Sequence, residues 1–203
     1  MDAEAHPGGR EAARGDGVSR LHQVTRAEAE APIVTAMYDY LFEDRCPVAE
    51  PGTSTGTAGD WWTVFANSPD VLEHAVNGFL LYQSPKRQLP PLLRELGQTR
   101  VGWDLQSDFV FSQHCLALED LGESKERIEA VKAWETSDLF DPTERLVLAF
   151  TDCLAAGGSV PDEVFDPLKA AIGDVAVLEL TYITSMYLMQ AVMSKALRTE
   201  GDA

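Results

Sequence analysis

Two stretches of this chain open in the same way, with a short polar residue, then proline, then an apolar repeat of helical period. In DPTERLVLAFTDCLAAGG (141–158), Asp141 is placed to cap a helix, Pro142 takes the first helical position and Glu144 the third. Leu146, Ala149, Phe150, Cys153 and Leu154 follow as a stripe, and the Gly157 and Gly158 pair ends it. NSPDVLEHAVNGFLLYQS (67–84) repeats the pattern: Ser68 caps, Pro69 comes first, and Val71, Leu72, Ala75, Val76, Phe79 and Leu80 share a face. TRAE (25–28) reads as a capping box ahead of a helix through IVTAMYDYLF. A shorter helix in VPDEVFDPLKAAIG leads to a long last one from Asp174, with Val175, Leu178, Tyr182, Met186, Met189 and Met193 along one side. Strand-like alternation is nowhere sustained, so the expected fold is all-α, a bundle of roughly eight helices.

A length of 203 residues with 45% hydrophobic content suits one core and one domain. That domain is expected over 25–200, after a disordered or flexible leader over 1–24 whose Gly, Ala and mixed charge offer no signal-peptide core. With 16 Lys and Arg against 33 Asp and Glu, the formal charge is −17, which repels phosphate backbones and anionic lipid surfaces. Neither nucleic acid nor membrane is an expected partner. The apolar run YITSMYLMQAVM (182–193) is interrupted by Thr, Ser and Gln and falls short of the ~20 residues that span a bilayer. Cys46, Cys115 and Cys153 are odd in number and widely spaced, as reduced thiols in a cytoplasm would be.

Chemistry is concentrated around QSDFVFSQHC (106–115). His6 and His22 belong to the leader and His74 to a surface-leaning part of its helix, which leaves His114. Ser107, Val110 and His114 stand at i, i+3 and i+7, on one helix face. In the preceding segment, PPLLRELGQTRVGWD, Glu95 falls among Leu92, Leu93 and Leu96, where a carboxylate needs a partner. Antiparallel packing across the short link at 103–106 brings Glu95 near His114, a carboxylate and imidazole pair in a mostly apolar cleft. A lone helix-face histidine is ordinarily a packed core residue, so the pairing decides its reading. The Gly, Pro, Ser and Thr of RCPVAEPGTSTGTAGD (45–60) describe a flexible surface loop, either a lid or a loop with no role. The Met and Tyr stripe of the last helix reads as core or subunit contact, and no site is assigned there.

The segment LPPLLRELGQTRVGWDLQSDFVFSQHCLALEDLGESKERIEAVKAW resembles the core of the carboxymuconolactone decarboxylase family, whose alkylhydroperoxidase D branch shares the same helical fold. The family pattern is a Glu, then a Cys-x-x-Cys beginning twelve residues on, then a His four residues after the second Cys. Glu95, Ser107, Val110 and His114 stand at those spacings, and the likeness extends less specifically over most of residues 60–197. Peroxide reduction in that branch needs an attacking and a resolving thiol on one face, and Ser107 and Val110 supply neither. Cys115 points about 100° away around the helix. The resemblance therefore implies a cofactor-independent lyase or isomerase, with no metal. Its Glu95 and His114 would move a proton on a small organic acid or lactone, and Ser107 would donate a hydrogen bond to the substrate. It further implies a homo-oligomer, a trimer or hexamer. The alternatives are an alkylhydroperoxidase-like enzyme using Cys115 and a non-catalytic oligomeric binding protein.

Overall fold

The structure, a computed structural model, describes residues 19–199, and these form an all-α single domain. The helices are α1 (Pro32–Phe42), α2 (Asp60–Phe65), α3 (Pro69–Gln83), α4 (Pro91–Asp104), α5 (Asp108–Asp120), α6 (Lys125–Ala130), α7 (Pro142–Ala155) and α8 (Asp162–Leu197), with a 3-10 turn at Val131–Thr136. Helix α4 is the axis of the bundle, packed on α5, α7 and α8 and buried at almost every position from Glu95 to Gly102.

The start signals behave as their chemistry requires. Asp141 accepts from the Glu144 amide while Glu144 reaches back to the Asp141 amide, a complete capping box. Ser68 and Pro69 begin α3, although the Ser68 side chain makes no cap bond. The Thr25 motif differs from expectation. Glu28 accepts from both the Thr25 amide and hydroxyl, each at 2.8 Å, yet the segment is an isolated turn and α1 starts only at Pro32. The residue before a proline is pushed out of the helical region, and Ala31 is accordingly extended (φ −72°, ψ 136°).

Most of the expected leader, including His6, lies outside the described residues. Its last part is tied to the bundle, with Arg20 N–H donating to the Leu197 carbonyl and Val24 N–H to the Thr63 carbonyl. The 45–60 segment is knitted by its own hydrogen bonds: Gly52 to Ala58 and Thr53 to Thr57 on the backbone, and Thr53 to Thr57 between hydroxyls. It closes on Gly59, whose positive φ of 100° and lack of a Cβ let it lie against the Phe42 ring; a Cβ there would fall 2.7 Å from that ring.

The two expected C-terminal helices run on from one another as α8, broken at Gly173 (φ 80°). By length and composition α8 could cross a membrane, but Glu179, Thr184, Gln190 and Ser194 are buried within the bundle. The expected Met and Tyr stripe is the outer face of this helix. Leu178 is 69% exposed, Tyr182 51% and Met189 44%, while Ala176, Val177, Leu180, Ile183 and Ala191 fill the core.

Candidate active site

The candidate site is set by how α4 turns into α5. Gln106 adopts a left-handed conformation (φ 52°), and Ser107 N–H donates to the Gly102 carbonyl, so the chain reverses within three residues. The two helices can close on each other because position 102 has no side chain. A Cβ there would lie 2.4 Å from the Phe111 backbone nitrogen. This approach places Glu95 of α4 opposite His114 of α5, with 2.8 Å between Glu95 Oε2 and His114 Nδ1. Both residues are buried, at 1% and 3% exposure.

Glu95 has a full set of donors. Tyr82 of α3 donates its hydroxyl to Oε1 at 2.5 Å, and Arg94 donates Nε to the same oxygen at 2.9 Å. Arg94 also donates Nη1 to the Tyr82 carbonyl and lies over the Tyr82 ring, 4.3 Å from its centroid. Burial pushes the Glu95 carboxyl up, but the hydrogen bonds from His114 and Tyr82 and the neighbouring charges outweigh it and hold the group below the usual carboxylate range. An ionised carboxylate only accepts, so Nδ1 carries the hydrogen it shares with Glu95. The ring is thereby oriented, and Nε2, on its far side, finds no protein partner among the described residues. In the neutral ring that nitrogen holds a lone pair, which makes it the group available to take a proton.

His114 lines a cavity of about 510 Å³. Helices α1, α2, α3, α5 and α8 and the 45–60 segment enclose it, through residues such as Met37, Trp62, Phe79, Phe109 and Tyr187 together with Thr55 and Thr57. Tyr187 meets the imidazole edge-on at 4.4 Å, and burial together with the Glu95 charge pushes its phenol up, so it stays a hydrogen-bond donor. Burial, then Glu95, do the same to Tyr82.

Of the expected residues, Glu95 and His114 pair directly, and Ser107 begins the helix that carries His114. Ser107 is the N-cap of α5, where its hydroxyl accepts from the Val110 amide, and its position is buried outside the cavity wall. Cys115 faces the cluster of Leu96, Leu118 and Trp134, away from the cavity, and burial pushes its thiol up to about 11. Sequence reasoning missed Tyr82, Arg94 and Tyr187. The signal for Arg94 was its place beside a buried Glu; the two tyrosines come from distant helices and had none.

A buried carboxylate and imidazole pair at the wall of an apolar cavity, on an all-α bundle, defines the class. The profile of the carboxymuconolactone decarboxylase family matches residues 70–152, which hold Glu95, Ser107 and His114. Solved structures agree on the fold. A protein of unknown function from Agrobacterium tumefaciens, described as a candidate antioxidant defence protein AhpD, is similar at 18% identity (TM-score 0.62), covering 68% of this chain and 95% of its own. The debrominase Bmp8, in complex with 2,3,4-tribromopyrrole, is similar at 17% identity (TM-score 0.65), covering 89% and 91%. An uncharacterized peroxidase-related protein from Silicibacter sp. TM1040 is similar at 13% identity (TM-score 0.67), covering 86% and 89%. No curated protein is significantly similar in sequence.

Proposed function

We propose that this chain is a cofactor-independent acid–base enzyme, a lyase or isomerase of the carboxymuconolactone decarboxylase type acting on a small organic acid or lactone in the cytoplasm. The observation that supports this most is the unpartnered, buried Nε2 of an imidazole that Glu95 holds through Nδ1 and whose residue lines the cavity. In the proposed reaction Nε2 removes a proton from the carbon next to the substrate carbonyl. The enolate that results takes a hydrogen bond from Tyr187 or the Gln113 amide, both on the cavity wall. The imidazolium, stabilised by the Glu95 carboxylate, returns the proton at another carbon or at oxygen, which completes an isomerisation. Ser107 acts at one remove, by fixing the start of the helix that carries His114.

That the same fold in the debrominase holds 2,3,4-tribromopyrrole supports a small ring compound as the occupant. A thiol peroxidase has less support, because the Cys115 thiol stays protonated at neutral pH and packs away from the cavity. The three free cysteines suit a reducing compartment.

The test is proton exchange from D2O into the carbon beside a lactone or ketone carbonyl, followed by NMR. His114→Gln is expected to slow exchange by ~10² to 10⁴, with a stability loss of at most about 1–3 kcal/mol. Glu95→Gln is expected to lose exchange and stability together, because Arg94 keeps a half-buried charge without its ion partner. Exchange that survives His114→Gln unchanged would leave the pair structural and the protein a binding module.

A further inference from the structure

The polar groups on the cavity wall are all uncharged apart from the titratable His114: Thr55, Thr57, Gln83 and Gln113, with the phenols of Tyr40, Tyr82 and Tyr187. None of the described lysines or arginines reaches that wall. The cation nearest the pair, Arg94, is committed: it donates to Glu95 and to the Tyr82 carbonyl and is stacked on the outer side of the Tyr82 ring. Glu95 itself already balances one positive charge on the imidazole or on Arg94. Around this site the whole chain bears a formal charge of −17.

An anionic substrate entering such a cavity would lose its hydration without gaining a cationic partner, against a repulsive field. A neutral ring compound meets the opposite conditions, since Trp62, Phe79 and Phe109 offer apolar and aromatic surface and the uncharged Gln113 and Thr57 offer hydrogen-bonding points. Resting on the reading of His114 as the proton-transfer group, we infer that the substrate is an uncharged, ring-bearing carbonyl compound, on the lactone or ketone side of the proposed class, and that free carboxylates are excluded.

The inference is tested with two probes of nearly equal shape, 4-phenylbutan-2-one and 3-phenylpropanoate, which differ by a methyl ketone in place of a carboxylate. Isothermal titration of the full chain near neutral pH is expected to give the ketone at least about a tenfold lower Kd. Gln83→Lys introduces a cation at an exposed position on the cavity rim. It is expected to raise carboxylate affinity severalfold relative to ketone affinity. Equal or tighter binding of 3-phenylpropanoate to the native chain, or binding of neither probe, overturns the inference. Proton exchange separates it from the catalytic reading. A ketone preference without exchange removes only the proton-transfer role of His114, whereas exchange into carboxylates but not ketones removes only the charge selectivity.

Discussion

At the residue scale, the site is a problem in how buried charge is tolerated. Glu95 is acceptable in the centre of the bundle because a phenol, a guanidinium and an imidazole all donate to it. Asp104, at the other end of α4, is less well served. It shares Arg100 with Asp152, at 3.1 Å and 2.6 Å, and its Oδ2 has no partner among the described residues. Burial first, then the nearby Asp152, push its carboxyl up to about 7 against the attraction of Arg100. A raised carboxylate means that the unfolded chain ionises first, so stability falls as pH rises from near 4 to near 7 and the penalty is complete above that. Asp104→Asn removes the penalty and leaves Arg100 its bonds to Asp152 and to the Val131 and Lys132 carbonyls. The variant should be more stable than the native chain by about 1–3 kcal/mol at pH 8, with the gain shrinking toward pH 5. Urea unfolding at the two pH values checks this, and a gain that is independent of pH would contradict it.

At the scale of elements, the functional geometry depends on the α4–α5 hairpin more than on either helix. Its closeness is set by Gly102 against the Phe111 backbone. Gly102→Ala forces α5 outward, because the obstructing atoms are main chain and cannot rotate away. A loss of about 1–3 kcal/mol is expected, seen as a fall in Tm of roughly 2–4 °C per kcal/mol. The same displacement lengthens the Glu95–His114 contact, so proton exchange should fall more than stability predicts. Retention of native Tm and exchange would show that the hairpin has slack. Helix α3 contributes through Tyr82, which seals the carboxylate from the cavity side; its apolar spacing was legible, its role in the site was not.

At the scale of the molecule, the outer face of α8 carries exposed apolar side chains. Leu178, Tyr182, Met189 and Val192 are exposed along one side of the longest helix, and contiguous apolar exposure of this kind favours a covering surface. We propose that a second copy of the chain covers it in a closed homo-oligomer, a trimer or hexamer. Light scattering at micromolar concentration should give a multiple of 22.2 kDa, and Leu178→Glu should shift the population toward the monomer without lowering helix content. A native mass of one chain would refute the assembly.

Sequence alone determined the helical class, the starts of α3 and α7 and the candidate pair, because these rest on local chemistry. Asp141, Pro142 and Glu144 act within one turn, and the spacing of Glu95 from His114 spans one hairpin. It misjudged Thr25, where Glu28 reached back to the Thr25 amide but no helix followed, because Pro32 dictated a later start. It read Ser107 as part of the helix, whereas Ser107 is the cap residue that precedes α5. Tyr82 and Tyr187 became part of the site only through tertiary packing. They come from helices separated by about half the chain, and nothing in their local sequence distinguishes a tyrosine that meets a buried imidazole from one that faces water. The same limit applied to α8: periodicity identified its apolar stripe, but which stripe turned inward was decided by packing against α4 and α7. The helix is apolar on more than one side, and only contact with its neighbours selects among them.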